Sequence, residues 1–306
     1  MASRRAPHRS ILSKTEPMFS DALRRDAARI GVHLDSVLSA CPDLPVIEGM
    51  RYAVAGGKRL RGFLVMESAR LYDVPEAQSI WPAAAIEAIH AYSLVHDDLP
   101  CMDDDDLRRG LPTVHRKWDD GTAVLVGDAL QTFGFELVLD PACHTVAAVR
   151  ADLALSLARA SGHKGMVLGQ ALDILAETAE TPLTLDQITE LQAGKTGALI
   201  MWSAEAGARL AQTDPAPLTQ YATALGLAFQ IADDILDVEG DETTVGKAVG
   251  KDADRGKATF VSLLGLDGAK RRASELVDAA CDALSPFGDR AQTLNDAAQF
   301  VISRDT

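Results

Sequence analysis

Apolar residues recur at helical spacing along nearly the whole chain. The first such segment, 18–40, places apolar side chains on one helix face at positions 19, 23, 30, 34 and 37, and Cys41-Pro42 ends it. Turn-like pairs such as Asp140-Pro141 and Ser285-Pro286 separate the later segments. The pattern predicts helices at 18–40, 45–55, 60–72, 80–98, 121–139, 144–160, 163–177, 184–210, 215–239, 258–284 and 289–303.

Four of these segments, 80–98, 121–139, 184–210 and 215–239, are apolar on more than one face, which favours central helices wrapped by others. Alternating patterns typical of strands are nearly absent, and no linker rich in Pro, Gly or Ser divides the chain. The predicted fold class is therefore all-α, a single large helical bundle. We expect one domain at 16–306 after a flexible lead-in at 1–15.

Composition excludes several classes of protein. With 47% hydrophobic and 24% charged residues, the 306-residue chain can bury a large core and is not of the disordered type. A net charge of −14 argues against nucleic acid as a partner.

We expect no membrane span and no secretory signal, because no apolar run approaches the roughly 18–20 residues that a bilayer needs. The widely spaced cysteines suggest neither disulfides nor zinc, so we expect a cytoplasmic protein; they are Cys41, Cys101, Cys143 and Cys281.

Two acidic clusters stand where apolar helical patterns end. The first runs from Asp97 to Asp106 and the second from Asp233 to Asp237. Carboxylates at positions where the preceding pattern predicts burial are costly unless they have a partner. A solvated surface is the ordinary interpretation of a single acidic run. Two such clusters at the ends of two apolar helices favour a site for a cation instead.

The spacing within the clusters predicts their geometry. Asp233 and Asp237 are four residues apart and share a helix face, with Gln230 one turn earlier. Pro100 disfavours helix immediately before it, so we expect the first helix to end near Leu99 and Asp103 to reach the site from the following turn. Paired carboxylates of this kind suit magnesium, which takes one or two carboxylates, several waters and substrate phosphate oxygens.

Basic residues supply the complement to these carboxylates. The segment Gly56–Gly62, with the sequence GGKRLRG, is a glycine-containing basic loop before a helix and a candidate anion site, although it lacks the P-loop spacing. Further cations follow the first acidic cluster or stand near other helix ends. The set predicts two anion sites, one bridged to the carboxylates by metal and one bound directly by basic side chains. The further residues are Arg108, Arg109, Lys195, Lys247 and Lys257.

In this order the motifs closely resemble those of the trans-isoprenyl diphosphate synthases, the family of farnesyl and geranylgeranyl diphosphate synthases. They are GGKRLR, DDLPCMDDDDLRRG, GDAL, GQALD, KTGALI and FQIADDILD, and the match runs from about residue 45 onward. The resemblance implies a helical bundle around a deep central cavity, usually as a homodimer. It also implies a magnesium cluster, three ions or manganese in their place, and condensation of isopentenyl diphosphate with an allylic diphosphate. The allylic diphosphate ionises with release of pyrophosphate, which is the expected base for the final proton loss.

Roles follow from motif position within that family. The resemblance assigns the metal to Asp97, Asp98, Asp103 and Asp233, with Asp237 in support, and isopentenyl diphosphate to Lys58, Arg61, His90 and Arg109. It assigns the allylic diphosphate to Arg108, Lys195, Thr196, Gln230, Lys247 and Lys257. The residues expected to act directly in catalysis are Asp97, Asp98, Asp103, Arg108, Lys195, Asp233 and Lys247. Gly62 departs from the family, because many members have proline there, which leaves the stiffness of the basic loop open.

Product length is expected to depend on Tyr92 and its small neighbour Ser93. Members of the family that stop at fifteen carbons tend to carry an aromatic residue at this position, which favours farnesyl diphosphate made from dimethylallyl or geranyl diphosphate. Cys101 also occurs in twenty-carbon enzymes and keeps geranylgeranyl diphosphate as the alternative. A class I terpene cyclase and a non-catalytic regulatory subunit are more distant alternatives, since both acidic motifs and the basic loop are intact.

Overall fold

A computed structural model of the chain describes residues 16–179, 181–239 and 258–303. Within them lie a two-stranded hairpin, β1 Leu107–Arg108 with β2 Leu111–Pro112, a π-helical turn Ala193–Gly197 and a 3₁₀ segment Ser285–Ala291. The α-helices are α1 Glu16–Leu38, α2 Pro45–Val54, α3 Leu60–Leu71, α4 Glu76–Asp97, α5 Val114–Lys117, α6 Asp120–Leu139, α7 Ala147–Ser161, α8 Met166–Glu177, α9 Leu185–Gln192, α10 Ala198–Leu210, α11 Ala216–Glu239, α12 Phe260–Leu264, α13 Leu266–Ala283 and α14 Gln292–Ser303. The all-α fold class is confirmed.

Helices α4 and α6 form the first half of the core. They approach closely because two glycines of α6 leave room for side chains of α4. The ring of His96 occupies the space that a Cβ at Gly127 would need, and Ile89 does the same at Gly134, where its Cγ1 would be 2.7 Å away. Apolar residues of α4 such as Ile86 and Ile89 are fully buried in this cluster. The close packing fixes the carboxyl end of α4, where the first acidic motif begins.

A second apolar cluster forms around α11, α13 and α14, and α3 and α10 lie between the two clusters. Val65 of α3 packs in the first cluster, whereas Phe63 and Leu64 pack in the second. The two shared helices touch where Gly207 of α10 faces Ser68 of α3, whose hydroxyl accepts the Gly207 N–H at 3.1 Å. The division into one domain stays a prediction, and this sharing of helices between the clusters supports it.

The observed elements differ from the predicted ones in three places. The helix predicted over 184–210 contains the π-helical turn between α9 and α10. The helix predicted over 258–284 is broken at Gly265, whose φ of 70° is a left-handed conformation that glycine adopts without strain. The third difference is the hairpin, which forms because Arg109 and Gly110 both have positive φ, as a two-residue turn of this hand requires.

Among the described residues, α6 is the one helix whose length and apolar composition would allow it to cross a membrane. A buried core helix of a soluble protein passes the same test, so a single such helix is a weak signal. In the fold, α6 packs against α2, α4, α5 and α7.

Candidate active site

The first acidic motif forms the carboxyl end of α4 and the turn after it. The helix ends at Asp97, close to the predicted end, and the chain then turns back, so that the Asp103 N–H donates to the Asp97 carbonyl oxygen at 2.9 Å. The turn brings the side chain of Asp103 close enough to Asp97 to influence its pKa. Asp97 and Asp103 therefore come together from helix and turn, as the spacing predicted.

Asp97 carries the most perturbed carboxylate of the motif. Burial, together with the neighbouring carboxylates of Asp103 and Asp98, raises its pKa to about 6, and Lys195 and Arg108 oppose the shift. A carboxylate held at such a cost is typical of a functional site. An added cation would relieve both the burial cost and the repulsion from Asp103.

Asp98 has a different environment from Asp97. Its side chain is buried and accepts from Nε of Arg108 at 2.6 Å, with Nη2 of the same guanidinium 2.5 Å away. Arg108 belongs to strand β1 and also lies 3.5 Å from Asp105. Asp98 thus holds Arg108 beside Asp97, and its role as a metal ligand stays a prediction.

The hairpin places the second arginine of the motif against the basic loop. Arg109 lies at the hairpin turn, and its guanidinium packs on the backbone of Gly57, where an added Cβ would be 2.7 Å from Nη1. Gly56 and Gly57 both have positive φ, which lets the loop turn under the hairpin. Two segments about fifty residues apart in the chain are therefore in contact, and the anion site assigned to them stays a prediction.

The basic residues of the loop differ in whether they already bind other parts of the chain. Arg59 reaches across Gly31 of α1, where it donates to the carbonyl oxygen of Ala27 and, at 2.9 Å, to that of Val54. Its guanidinium is used in joining α1 to α2. Lys58 is exposed on the loop. Arg61 points inward and lies close enough to Asp233 for that carboxylate to act on the pKa of Arg61. Lys58 and Arg61 remain available for a bound anion.

His90 lies on α4 among the arginines of this site. Burial, together with Arg61, Arg109 and Arg108, holds the pKa of His90 well below its usual value. The imidazole is therefore neutral at physiological pH and can donate one N–H without adding charge. This environment separates His90 from an ordinary core histidine.

Lys195 is presented by the π-helical turn. Its Nζ lies 2.6 Å from Oδ2 of Asp173 on α8, and its charge lowers the pKa of Asp97. The π turn packs tightly on α8 because Gly169 has no side chain, and an added Cβ would run into the backbone of Gly194 and Lys195. Such turns are frequent at functional sites. The GQALD and KTGALI motifs thus form one unit, and Thr196 lies in the same turn.

The second acidic motif lies near the end of α11. Gln230, Asp233 and Asp237 are all partly buried there. Asp234 has a structural task, since its Oδ2 accepts the N–H of Phe260 at 2.7 Å and so caps the start of α12. The predicted sites at Lys247 and Lys257 fall in 240–257, outside the described residues.

A cavity of about 260 Å³ lies between the end of α2, the carboxyl half of α4 and the hairpin. Its wall is mostly apolar, with Leu94 and Val95 on one side and Tyr52 on the other. Gly57, Arg108 and Arg109 line its charged end. The charged end of the cavity therefore lies where the hairpin meets the basic loop.

Comparison with known proteins agrees with this geometry. The sequence pattern of the polyprenyl synthetase family matches residues 46–286. The chain belongs to this family.

Among its relatives, farnesyl diphosphate synthase of Haemophilus influenzae is 42% identical over 94% of this chain and 98% of its own. Farnesyl diphosphate synthase of Escherichia coli is 45% identical over 85% and 90%. The crystal structure of an FPP/GFPP synthase from Zymomonas mobilis covers 94% of this chain and 99% of its own, with 44% identity and a TM-score of 0.86. Geranylgeranyl pyrophosphate synthases are also relatives, at lower identity.

Among the described residues of this polyprenyl synthetase, no three acidic, histidine or cysteine side chains are grouped closely enough to hold a metal alone. The carboxylates nevertheless fit magnesium that a substrate completes. Asp97 and Asp103 provide a pair at the end of α4, and Asp233 and Asp237 provide a second pair on α11. Magnesium typically takes few protein ligands and fills its shell with water and phosphate oxygens.

Tyr92 and Ser93 lie on α4, one to two turns before the first acidic motif. Tyr92 is buried, its ring meets His96 edge to face at 5.8 Å, and the amide of Gln131 on α6 lies near its hydroxyl. Ser93 donates to the carbonyl oxygen of His90 at 2.9 Å. Tyr92 thus lies in the α4–α6 interface of the synthase, and its control of product length stays a prediction.

The sequence did not reveal the tasks of Arg59, Asp173 or Glu87 in the synthase fold. Asp173 is the last residue of the GQALD motif, but only the π turn shows that it binds Lys195. Glu87 lies inside an apolar helix and is buried there. An acidic residue in an apolar segment, three positions before His90, is the sequence signal that could have indicated a role for Glu87.

Proposed function

We propose that this protein is a prenyltransferase that condenses isopentenyl diphosphate with dimethylallyl or geranyl diphosphate to give farnesyl diphosphate and pyrophosphate. The observation that carries the proposal is that one site contains two kinds of environment for an anion. The carboxylates of Asp97 and Asp103 lie near Lys195, whereas the neutral His90 lies among arginines. Two diphosphates of different role match this division: one held through metal, one held directly.

The allylic diphosphate is placed between the carboxylates and the inner cations. Asp97, Asp98, Asp103 and Asp233, with Asp237 in support, would hold magnesium, which would neutralise charge on the departing pyrophosphate. Arg108 and Lys195 add positive charge beside it, and Thr196 and Gln230 add hydrogen bonds. Asp98 and Asp173 keep Arg108 and Lys195 in position before substrate arrives.

Isopentenyl diphosphate is placed at the basic loop. Lys58, Arg61 and Arg109 bind its diphosphate, and His90 donates a neutral hydrogen bond. A site built on neutral His90 and permanently charged arginines keeps its affinity across neutral pH. Apolar side chains around the reacting ends keep water from the carbocation. The released pyrophosphate is the proposed base for the final proton.

The test is to incubate the purified protein with magnesium, isopentenyl diphosphate and geranyl diphosphate, and to size the dephosphorylated products. A fifteen-carbon alcohol supports the proposal, and Tyr92→Ala is then expected to lengthen the product. A twenty-carbon alcohol from the wild-type protein would overturn the product length and keep the chemistry. If a folded protein consumes neither substrate, the prenyltransferase proposal fails.

We also propose that the protein is a cytoplasmic homodimer. All four cysteines are free, which suits a reducing compartment. Helix α8 exposes an apolar face made of Val167, Leu168, Ile174 and Leu175, with Leu175 65% exposed. A contiguous apolar face of this kind is typical of an interaction surface.

A second copy of the chain is the proposed occupant of the α8 face. Leu175→Glu is expected to shift the mass measured by light scattering from dimer to monomer. Val32→Glu, at a residue 72% exposed on α1, is the control and keeps the dimer mass. A wild-type protein that is monomeric at micromolar concentration would overturn the proposal.

A further inference from the structure

Glu87 is a buried carboxylate that belongs to neither acidic motif. It lies in the middle of α4, three residues before His90, and is 8% exposed. Its Oε1 accepts the N–H of Gly62 at 2.7 Å. The bond links α4 to the last residue of the basic loop.

The bond serves as a helix cap supplied from another element. Helix α3 begins at Leu60, and the preceding Arg59 has a left-handed backbone and gives no side-chain cap. The first N–H groups of a helix need acceptors from outside it, and a carboxylate there is favoured by the helix dipole. Glu87 supplies this acceptor at Gly62, the third residue of α3.

Gly62 makes the bond possible in two ways. It retains an N–H, which a proline at this position would lack. It also permits close approach, since an added Cβ would be 2.6 Å from Cδ1 of Ile30 and 3.0 Å from the carbonyl oxygen of Ala83. The hydrogen bond from Gly62 to Glu87 therefore restrains the end of the basic loop.

The surroundings of Glu87 are cationic. Burial raises the pKa of Glu87, whereas the Gly62 N–H and the charges of Arg61, Arg59 and Arg109 lower it. Glu87 in turn is the strongest acidic influence on the pKa of Arg61, whose buried Nε has no hydrogen-bond partner among the described residues. The carboxylate thus lies close to Arg61 and Arg109, the two arginines that the proposed function assigns to isopentenyl diphosphate.

We propose that Glu87 is a positioning residue for isopentenyl diphosphate. By accepting the Gly62 N–H it fixes the start of α3, and with it the direction in which Arg61 points. The inference rests on the proposed function, because that function assigns the isopentenyl diphosphate site to this loop.

A purely electrostatic role makes the opposite prediction. If Glu87 acted only as a negative charge beside the arginines, its removal would strengthen binding of a diphosphate. Positioning through Gly62 predicts weaker binding whenever the acceptor oxygen is lost or withdrawn, whatever the charge. Three variants separate the two possibilities. Glu87→Gln keeps an acceptor and loses the charge, Glu87→Asp keeps the charge and withdraws the oxygen, and Glu87→Met loses both at similar volume.

The experiment measures kcat and the KM of each substrate, with calorimetric binding of isopentenyl diphosphate without magnesium. Glu87→Met is expected to raise the KM of isopentenyl diphosphate roughly 10-fold or more while the KM of geranyl diphosphate changes less than about 2-fold. Glu87→Asp is expected to show the same selective defect, and Glu87→Gln to restore most of the affinity. If Glu87→Met does not fold, the KM values of Glu87→Asp test the proposal instead.

The control is Glu205→Gln, because Glu205 is another buried glutamate. It lies on α10, away from the site, and pairs with Arg209. It is expected to lower Tm without separating the two KM values. The inference is overturned if Glu87→Asp binds isopentenyl diphosphate as tightly as wild type, if both KM values rise equally, or if Glu87→Gln is as defective as Glu87→Met. A wild-type protein without turnover would refute the proposed function. The affinities of the Glu87 variants for isopentenyl diphosphate, measured by calorimetry, would still test the role of Glu87.

Discussion

At the residue scale, the site is built from charges that are unfavourable without substrate. Asp97 is the clearest case, because burial and two neighbouring carboxylates raise its pKa to about 6. The folded state therefore binds the Asp97 proton more tightly than the unfolded chain does. Its contribution to stability is neutral below about pH 4, becomes unfavourable as pH rises from about 4 to about 6, and stays constant above that.

Asp97→Asn is accordingly expected to stabilise the magnesium-free protein. The pKa shift corresponds to at most about 3 kcal/mol, so Tm at pH 8 should rise by roughly 3–6 °C. Below pH 4 the gain should vanish. Differential scanning calorimetry at the two pH values measures both effects.

The same variant is expected to lose prenyltransferase activity and most of the stabilisation that magnesium plus pyrophosphate gives to the wild type. A lower Tm at pH 8 would contradict the assignment of strain to Asp97.

Cysteine reactivity gives a second prediction at this scale. Cys143 is fully buried, and burial raises the pKa of its thiol to about 12, whereas Cys101 is exposed in the turn of the first acidic motif. At pH 8 the thiolate of Cys143 is populated at only about one part in 10⁴. Iodoacetamide should therefore label Cys101 and spare Cys143 in the native protein, as peptide mapping would show. Equal labelling of the two would mean that α7 and the turn before it open readily.

At the scale of elements, glycines decide how close two segments come and so where a cation points. Gly127 and Gly134 allow α4 to lie against α6, and Gly169 allows the π turn to lie against α8. The last of these contacts includes a predicted site residue directly, because Lys195 is within the turn. A small change on α8 should therefore change the position of Lys195.

Gly169→Ala is expected to push the π turn away from α8. The added methyl group would overlap the backbone of Gly194 and Lys195, which costs about 1–3 kcal/mol and separates Lys195 from Asp173. We expect kcat to fall at least 10-fold, since a misplaced cation no longer offsets charge in the transition state. Gly197→Ala is the control, because its Cβ would make only an ordinary contact, 3.5 Å from the Gln192 carbonyl oxygen. Equal effects of the two variants on kcat would contradict the argument.

At the scale of the whole molecule, a buried charge network joins α1 to α3. Arg70 binds both oxygens of the fully buried Asp26, at 2.6 and 2.8 Å, and lies 2.5 Å from Glu67. Arg25 contacts the same two carboxylates from the exposed side. The network lies at the junction of α1 with the rest of the fold, away from both acidic motifs.

Arg70→Met is expected to leave two buried carboxylates with Arg25 alone. Removing one partner of a buried pair costs about 3–5 kcal/mol, so the free energy of unfolding measured in urea should fall by about that amount. Both KM values should stay unchanged at a temperature where the variant is folded. Arg272→Met removes an exposed pair with Glu275 and should change stability by less than about 1 kcal/mol. A loss below 1 kcal/mol in Arg70→Met would show that the network is not structural.

Helix positions were largely predictable, because amphipathic spacing and turn residues are local properties of the chain. The ends of α2, α3, α6, α8 and α11 agree with the predicted ends within a few residues. The π turn at 193–197 could not be predicted, because its extra residue per turn is set by packing against Gly169. The hairpin depended on positive φ at Arg109, which a sequence pattern does not indicate for arginine.

The sequence by itself determined the chemistry: two carboxylate motifs, a basic loop and the order that marks a polyprenyl synthetase. Residue type and spacing are enough for this, because each motif acts through a short local segment. Only the tertiary structure decided which charged side chains bind partners on other elements. Arg59, Asp98, Asp234 and Glu87 look like functional residues in the sequence or go unnoticed there, and each has a partner distant in the chain or on another element. Their tasks depend on contacts between elements, which no local pattern contains.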